Sequence, residues 1–362
     1  FDTPTNSGLD SDDPRVGADV GIGGVPVCSL EDMEILFEGL PIEKVATSVT
    51  GKAFSHVQQA MYFAMAEKRG LELKELRGTT QADILTALGC MNYIDQIAPR
   101  HAIKLLADLV EWSSEVAPRW HPVSFDTYNA RENGVNAYQE LAILMADAIA
   151  YIEEERKRGR IPLDQYVRGF SFNMGCHNDF LEEIAKFRAA RRMWCRLVKD
   201  RYGIDDARCH LLRLHVQSSG ITHTTQQPLN NLMRIAFQVL AAVLGGAQSV
   251  HANGYDEGLC LPTEQSMLLS IRTEQIVQHE TNVINTADPL GGSYYIEWLT
   301  NELEARAWQY LKKIEEAGGL VEALESGWLQ GEFRKAIIEH QSSLETGEVK
   351  VGGVNCFEME EE

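Results

Sequence analysis

Leu211-Leu212-Arg213-Leu214-His215-Val216-Gln217 places Leu212, Leu214 and Val216 on one side of an extended chain and Arg213, His215 and Gln217 on the other. The same division recurs in three other short runs. In Val45–Thr50, Val45, Thr47 and Val49 oppose Ala46, Ser48 and Thr50; in Val123–Asp126, Val123 and Phe125 oppose Ser124 and Asp126. In Gly169–Asn173, Phe170 and Phe172 oppose Gly169, Ser171 and Asn173. Each strand therefore has one apolar face and one small or polar face. Helices cover the apolar face, which leaves the polar face to line the interior of a barrel. An ordinary (β/α)8 interior is packed with Val, Ile and Leu. Small hydroxyl and amide side chains leave room there for a slender polar ligand, the alternative being a two-layer sheet with one wet face.

Helical patterns alternate with these runs. Ser29 caps a helix over Leu30 to Gly39, and helical spacing continues over Ser55–Arg69, Ala102–Val116, Val135–Arg156, Asp179–Lys199 and Pro228–Leu244. Further strands are expected at Pro122–Tyr128 and Ala247–Ala252, and Arg77-Gly78-Thr79-Thr80-Gln81 stands where another belongs. Regular β-α alternation predicts an α/β fold with a parallel sheet, a (β/α)8 TIM-type barrel first and a doubly wound sheet second. About six strands are counted, so the barrel is expected to lack its N-terminal part. Residues 1–261 form the barrel in this reading, and 262–362 a helical C-terminal extension packed on it.

The 362 residues are 44% hydrophobic and 24% charged, a globular composition, with 33 Lys plus Arg against 53 Asp plus Glu and a net charge of −20. That balance argues against nucleic acid as a partner. Part of the acid lies in Asp10-Ser11-Asp12-Asp13 and Glu358-Met359-Glu360-Glu361-Glu362, both read as solvated surface. No apolar run approaches the ~20 residues of a membrane span. Seven scattered cysteines without a CxxC fit a reducing cytoplasmic setting, an organellar matrix being the alternative, and no metal site is expected. Cys209-His210 has no further spaced ligands. Cys176 and His177 are adjacent, which does not suit a nucleophile and its base. Gly21-Ile22-Gly23-Gly24 lacks the third glycine of a dinucleotide loop.

Six longer motifs carry a family likeness. Gly78-Thr79-Thr80-Gln81-Ala82-Asp83-Ile84-Leu85, Glu183-Ile184-Ala185-Lys186-Phe187-Arg188-Ala189-Ala190-Arg191, His215-Val216-Gln217-Ser218-Ser219-Gly220, Gln226-Gln227-Pro228-Leu229-Asn230-Asn231, Gln248-Ser249-Val250-His251-Ala252-Asn253 and Asp288-Pro289-Leu290-Gly291-Gly292-Ser293-Tyr294 resemble the adenosylcobalamin-dependent acyl-CoA mutases. The likeness runs from Phe1-Asp2 to Gly353-Val354-Asn355. It implies a barrel threaded by the pantetheine arm of coenzyme A, and a radical 1,2-rearrangement of an acyl thioester. The cofactor supplies the radical chemistry, while the protein positions the reactants and excludes water.

Residue by residue, the resemblance implies acyl-CoA contacts at Thr79, Gln81, Arg168 and Ser171, with Arg213, His215 and Gln217 on the polar strand that meets substrate and cofactor. Cys90 and Met91 fall in the acyl pocket. Gln81, Asn129, His215 and Arg213 are expected to orient the thioester, with Tyr128 beside Asn129 in the family's Tyr-His pair. Gln248, Asn253 and Glu257 match positions near the adenosyl group; Phe1, Gly23 and Gly220 match positions against the corrin, where glycine permits close approach.

Three departures bear on function. The classical methylmalonyl enzyme has an arginine roughly ten residues after the motif glutamine, pairing with the substrate carboxylate. Here the stretch reads Leu88-Gly89-Cys90-Met91-Asn92-Tyr93, with no cation. A substrate without a free carboxylate, of the isobutyryl-CoA type, is therefore expected. Tyr128-Asn129 replaces Tyr-His, and Asn129 donates a hydrogen bond but is no general acid. Gly51-Lys52 replaces the family's Met-Asn, for which the sequence offers no reason. The Asp-x-His-x-x-Gly cobalamin motif is absent from the chain, so the corrin is expected to be held by a separate domain or subunit, in an oligomeric assembly. The alternative is a catalytically silent barrel that binds acyl-CoA or a partner.

Overall fold

In the computed structural model, residues 1–90 and 97–359 are described. Met91 and the rest of the pocket stretch through Gln96 lie outside them. Among the described residues seven parallel strands form in chain order: β1 (Ala46–Ser48), β2 (Arg77–Thr79), β3 (Trp120–His121), β4 (Val123–Asp126), β5 (Phe170–Cys176), β6 (Leu214–Ser218) and β7 (Ser249–His251). They pair as β1-β2-β3 and β4-β5-β6-β7, with every neighbour parallel. Among the described residues β1 and β7 each have a single strand neighbour.

The two sheets meet in one run of chain. Pro122 lacks an amide hydrogen and splits Trp120–Asp126 into β3, which pairs with β2, and β4, which pairs with β5. Its carbonyl accepts from Ala82 N at 3.0 Å and so bridges the break. The alternation in the sequence did not reveal β3, because Trp120 and His121 precede the proline. It also began three residues early: Leu211–Arg213 are not paired as strand, and β6 starts at Leu214.

The apolar faces point as expected. Val123, Phe125, Phe170, Phe172, Leu214 and Val216 are all buried and share a core with Leu141, Ile184, Phe187 and Trp194 of the surrounding helices. Phe172 meets Trp194 edge-on at 4.8 Å between centroids. The helices behind this layer are locally well specified. Asn136 and Gln139 close a capping box on the Ala137–Arg158 helix, and Gly159 ends it with φ 59°. Helices after residue 262 join the same core through Leu303, Ala307, Leu311 and Leu320. No helix among the described residues is long and apolar enough to cross a membrane.

Candidate functional site at the polar face of the sheet

Register brings the polar side chains into rows. Asp126 pairs with Asn173, Asn173 with His215, and His215 with Ser249, so these four stand side by side across β4 to β7. One step further along lie Gly175, Gln217 and His251. Ser171 of β5, Thr79 of β2 and Ala46–Ser48 of β1 line one open groove of ≈ 590 Å³, so the polar faces of both sheets look into a shared space.

At the N-terminal end of the strands this space is cationic. Arg213 donates to the carbonyls of Arg168 (2.9 Å) and Phe170 (3.3 Å), and His121, Arg168 and Arg213 line a second groove of ≈ 480 Å³. Arg168 also pairs with Asp206 at 2.8 Å. Gln248 belongs to this end as well, its side-chain carbonyl accepting from Leu214 N at 2.6 Å.

The C-terminal end is built differently. Lys52, in the turn after β1, forms a buried ion pair with Asp126. Asn129 donates to the same carboxylate oxygen of Asp126 at 2.8 Å, and Asn173 donates to the other at 3.0 Å. The Asp126 amide in turn donates to Asp83 at 2.9 Å. Burial raises Asp83, and burial together with Asp83 lifts Asp147 well above the carboxylate range, so a protonated Asp147 shares the enclosure. Burial brings Lys52 down to about 8, with Asp83 opposing the fall. Cys90 itself is pushed up by burial and is a neutral thiol. Thr50 donates to Gln81 at 3.0 Å, which ties the ends of β1 and β2 together.

His215 shares a 2.7 Å hydrogen bond between Nδ1 and the Ser249 hydroxyl. Burial, and then His251, bring its imidazole down to about 4, so it is neutral near pH 7 and orients rather than protonates. Beyond it, Gln217 donates to Asn253 at 3.0 Å, and Asn253 donates to the Ser218 carbonyl at 2.8 Å. The Gly220 amide donates to the Tyr128 hydroxyl at 3.3 Å. A Cβ at Gly220 would stand 3.0 Å from Glu132 Oε2, 3.2 Å from the Tyr128 oxygen and 3.7 Å from Glu257, so glycine keeps this rim low. Burial raises Glu132 to about 7, and it raises Tyr128 and Glu257 too. The segment with Phe1 and Gly23 reaches the same end of the sheet. Gln58, in the helix that follows Lys52, donates to Asn6 at 3.4 Å, and Gly24 lies against the Phe1 backbone.

The fold thus brings Tyr128, Asn129, Gln81, His215, Gln217, Gly220, Asn253 and Glu257 to one end. It places Arg168, Arg213 and Gln248 at the other, with Thr79 and Ser171 between. Arg213 therefore stands apart from Asn129, beside Arg168. The sequence reading also found no cation near the acyl pocket, and here it needs correction: Lys52 is brought beside Cys90 from 38 positions upstream. Its charge is already matched by Asp126. The sequence marked Gly51-Lys52 only as a departure without a reason, because only the strand register carries Asp126 to Lys52.

The result is a parallel α/β fold whose polar sheet face carries arginines at one end and a glycine-floored acidic rim at the other. The methylmalonyl-CoA mutase family model matches residues 1–362, and the chain belongs to that family. It is 39% identical over its whole length to the 2-hydroxyisobutanoyl-CoA mutase large subunit of Aquincola tertiaricarbonis, covering 64% of that protein. It is 37% identical to the methylmalonyl-CoA mutase of Rhizobium meliloti and 36% to the human mitochondrial one, covering 50% and 48% of them. The chain thus spans about half to two thirds of the length of these relatives.

Proposed function

We propose that this chain is the acyl-CoA-binding catalytic part of an adenosylcobalamin-dependent mutase, acting on a thioester without a free carboxylate. The supporting observation is the polar row Asp126–Asn173–His215–Ser249, set between the arginine end and the Gly220 rim. In this reading Arg168 and Arg213 meet the phosphates of coenzyme A, and Thr79 and Ser171 flank the pantetheine arm. Gln81, Asn129 and the neutral His215 orient the thioester carbonyl. Cys90 and Met91 bound the acyl group. The sheet is completed as a (β/α)8 barrel by strands outside this chain, with 262–362 as its helical cover.

The rim residues suit the cofactor. Gly220 leaves an approach that a Cβ would fill, and the buried Asn173 Oδ1 has no protein partner. Phe1, Gly23 and Gly220 would pack on the corrin, while Gln217, Asn253 and Glu257 would hold the adenosyl group; Gln248, at the arginine end, would not reach it. Bound adenosylcobalamin supplies the radical chemistry; the chain's residues align the thioester and keep water out. A relative named as a large subunit supports a separate cobalamin-carrying partner for this chain, in an oligomeric assembly.

The carboxylate argument survives the correction at Lys52. A substrate carboxylate there would have to compete with Asp126 for one ammonium and would add a second buried anion beside Asp83. The test uses the full-length protein with its cobalamin-binding partner, adenosylcobalamin, and methylmalonyl-, isobutyryl-, 2-hydroxyisobutyryl- and 3-aminobutyryl-CoA, with isomers resolved by mass-coupled chromatography. An isomer formed only with cofactor, from a non-carboxylated substrate, is expected. Preference for methylmalonyl-CoA overturns the substrate class. Coenzyme A binding without turnover of any substrate leaves a silent barrel.

A further inference from the structure

Two non-glycine residues at this end hold left-handed backbone conformations: Lys52 at φ 34° and Gln81 at φ 44°. Such geometry costs about 1–3 kcal/mol and persists only where the surroundings enforce it. Lys52 is enforced by its partner. It enters the turn after Gly51, whose amide donates to Thr80 O at 3.2 Å, and its ammonium ends on the Asp126 oxygen that also accepts from Asn129. Three elements converge on one carboxylate: the turn after β1, the Tyr128–Glu132 helix, and β5 through Asn173. A buried ion pair is a poor stabiliser compared with apolar side chains of the same volume, but it fixes geometry.

We propose that Lys52 and Asp126 are a positioning pair for Asn129. Asp126 takes one amide hydrogen of Asn129 and leaves the other for the thioester oxygen of the substrate, while Lys52 supplies the countercharge that keeps Asp126 an acceptor. This rests on the reading of Asn129 as the group that meets the thioester. An amide by itself can present either its oxygen or its nitrogen to a ligand. With an anion as its neighbour, the nitrogen must face Asp126, so both hydrogens lie on the side where Asn129 can also reach a carbonyl oxygen. Asparagine thereby supplies the donor that a histidine would, without a proton to lose.

The groups facing Lys52 are Asp126 from β4, Cys90 at the end of its helix, and Asp83 just before that helix. Asp147, from the Ala137–Arg158 helix, acts through Asp83. With Lys52 brought down to about 8, the arrangement predicts an alkaline limb in kcat near pH 8, as the ammonium loses its proton and Asp126 its countercharge.

The test uses the full-length holoenzyme carrying Lys52→Arg, Lys52→Met, and the double change Lys52→Met with Asp126→Asn. The double change removes both charges and serves if the single methionine variant does not fold. Two signals are read: kcat and KM across pH, and the infrared stretch of a carbon-13-labelled thioester carbonyl in bound acyl-CoA, taken without cofactor. Both methionine variants are expected to lose about tenfold in kcat, one hydrogen bond's worth, with KM changing far less. They, and Asn129→Ala, should lose the downshift of the carbonyl stretch. Lys52→Arg should restore most of kcat and abolish the limb near pH 8. Unchanged kcat and carbonyl stretch in the variants, or a limb that stays in Lys52→Arg, overturn the proposal. A wild-type protein that binds acyl-CoA with the Lys52-dependent downshift but does not turn it over overturns the mutase reading and supports the pair. Failure to bind acyl-CoA overturns both.

Discussion

Lys186 and Lys52 are both enclosed lysines paired with carboxylates, yet their surroundings treat the charge in opposite ways. Lys186 belongs to the helix layer. Its ammonium meets Glu140 at 2.6 Å, Glu183 at 2.5 Å and the Gly175 carbonyl at 2.7 Å, and Arg131 reaches Glu183 at 3.2 Å. Burial pulls Lys186 down, but Glu140 and Glu183 outweigh it and hold it above its usual value. Lys52 lies at the mouth of the polar channel, and there burial wins, so its value falls to about 8. The first network pairs its charges among themselves: two acids, two bases and a carbonyl meet inside the core and tie the Phe180–Arg196 and Ala137–Arg158 helices to β5. The second is open, because one of its members, Asn129, is only half-buried and has a hydrogen to spare. A closed charge network builds the scaffold; an open one near its titration point is the kind of place where the proposed ligand contact belongs.

Breaking the closed network should have the largest effect. Lys186→Met strands Glu140 and Glu183 and is expected to destabilise the fold by about 3–5 kcal/mol, or prevent folding, as read by denaturant titration. Next comes Glu132, raised to about 7 by burial. Between about pH 4.5 and 7 the folded state holds a proton that the unfolded state has released, so stability falls as pH rises through this window. Glu132→Gln should flatten that slope, a difference on the order of 3 kcal/mol across the window in thermal unfolding at several pH values. Lys52→Met should cost less than Lys186→Met, about 1–3 kcal/mol, because it strands one buried carboxylate rather than two. Equal costs at the two lysines would remove the distinction between the networks. The smallest effect is at the arginine end: Arg168→Ala should weaken coenzyme A binding about tenfold by calorimetry and leave the melting temperature nearly unchanged, since Arg168 is partly exposed.

Much of the site was legible before the fold. Ser124, Asp126, Ser171, Asn173, His215 and Gln217 announce themselves by alternation, because a strand puts every second residue on one face whatever surrounds it. Tyr128, Asn129 and Gly220 were legible through motifs. The two ends of the channel were not. Arg213, His215 and Gln217 share a face, yet one step of two residues is roughly 7 Å along a strand, enough to put Arg213 with Arg168 and Gln217 with Asn253. Gln248 and Asn253 lie close in sequence and separate for the same reason. Glu132 gave no signal, since its helix is one short turn whose burial depends on the loop after β6.

By itself, then, the chain determined the parallel α/β class, the polar and apolar faces of its strands and its helix order, since these follow from local periodicity and capping. Where charges meet was decided only by tertiary structure. Lys52 and Asp126 are 74 positions apart, so no local pattern announces their contact. Their pairing depends on parallel strands registering β1 against β2, and on β3 and β4 lying between β2 and β5. Coulomb energy grows as water is excluded, so the fold that buries both groups also makes their contact decisive.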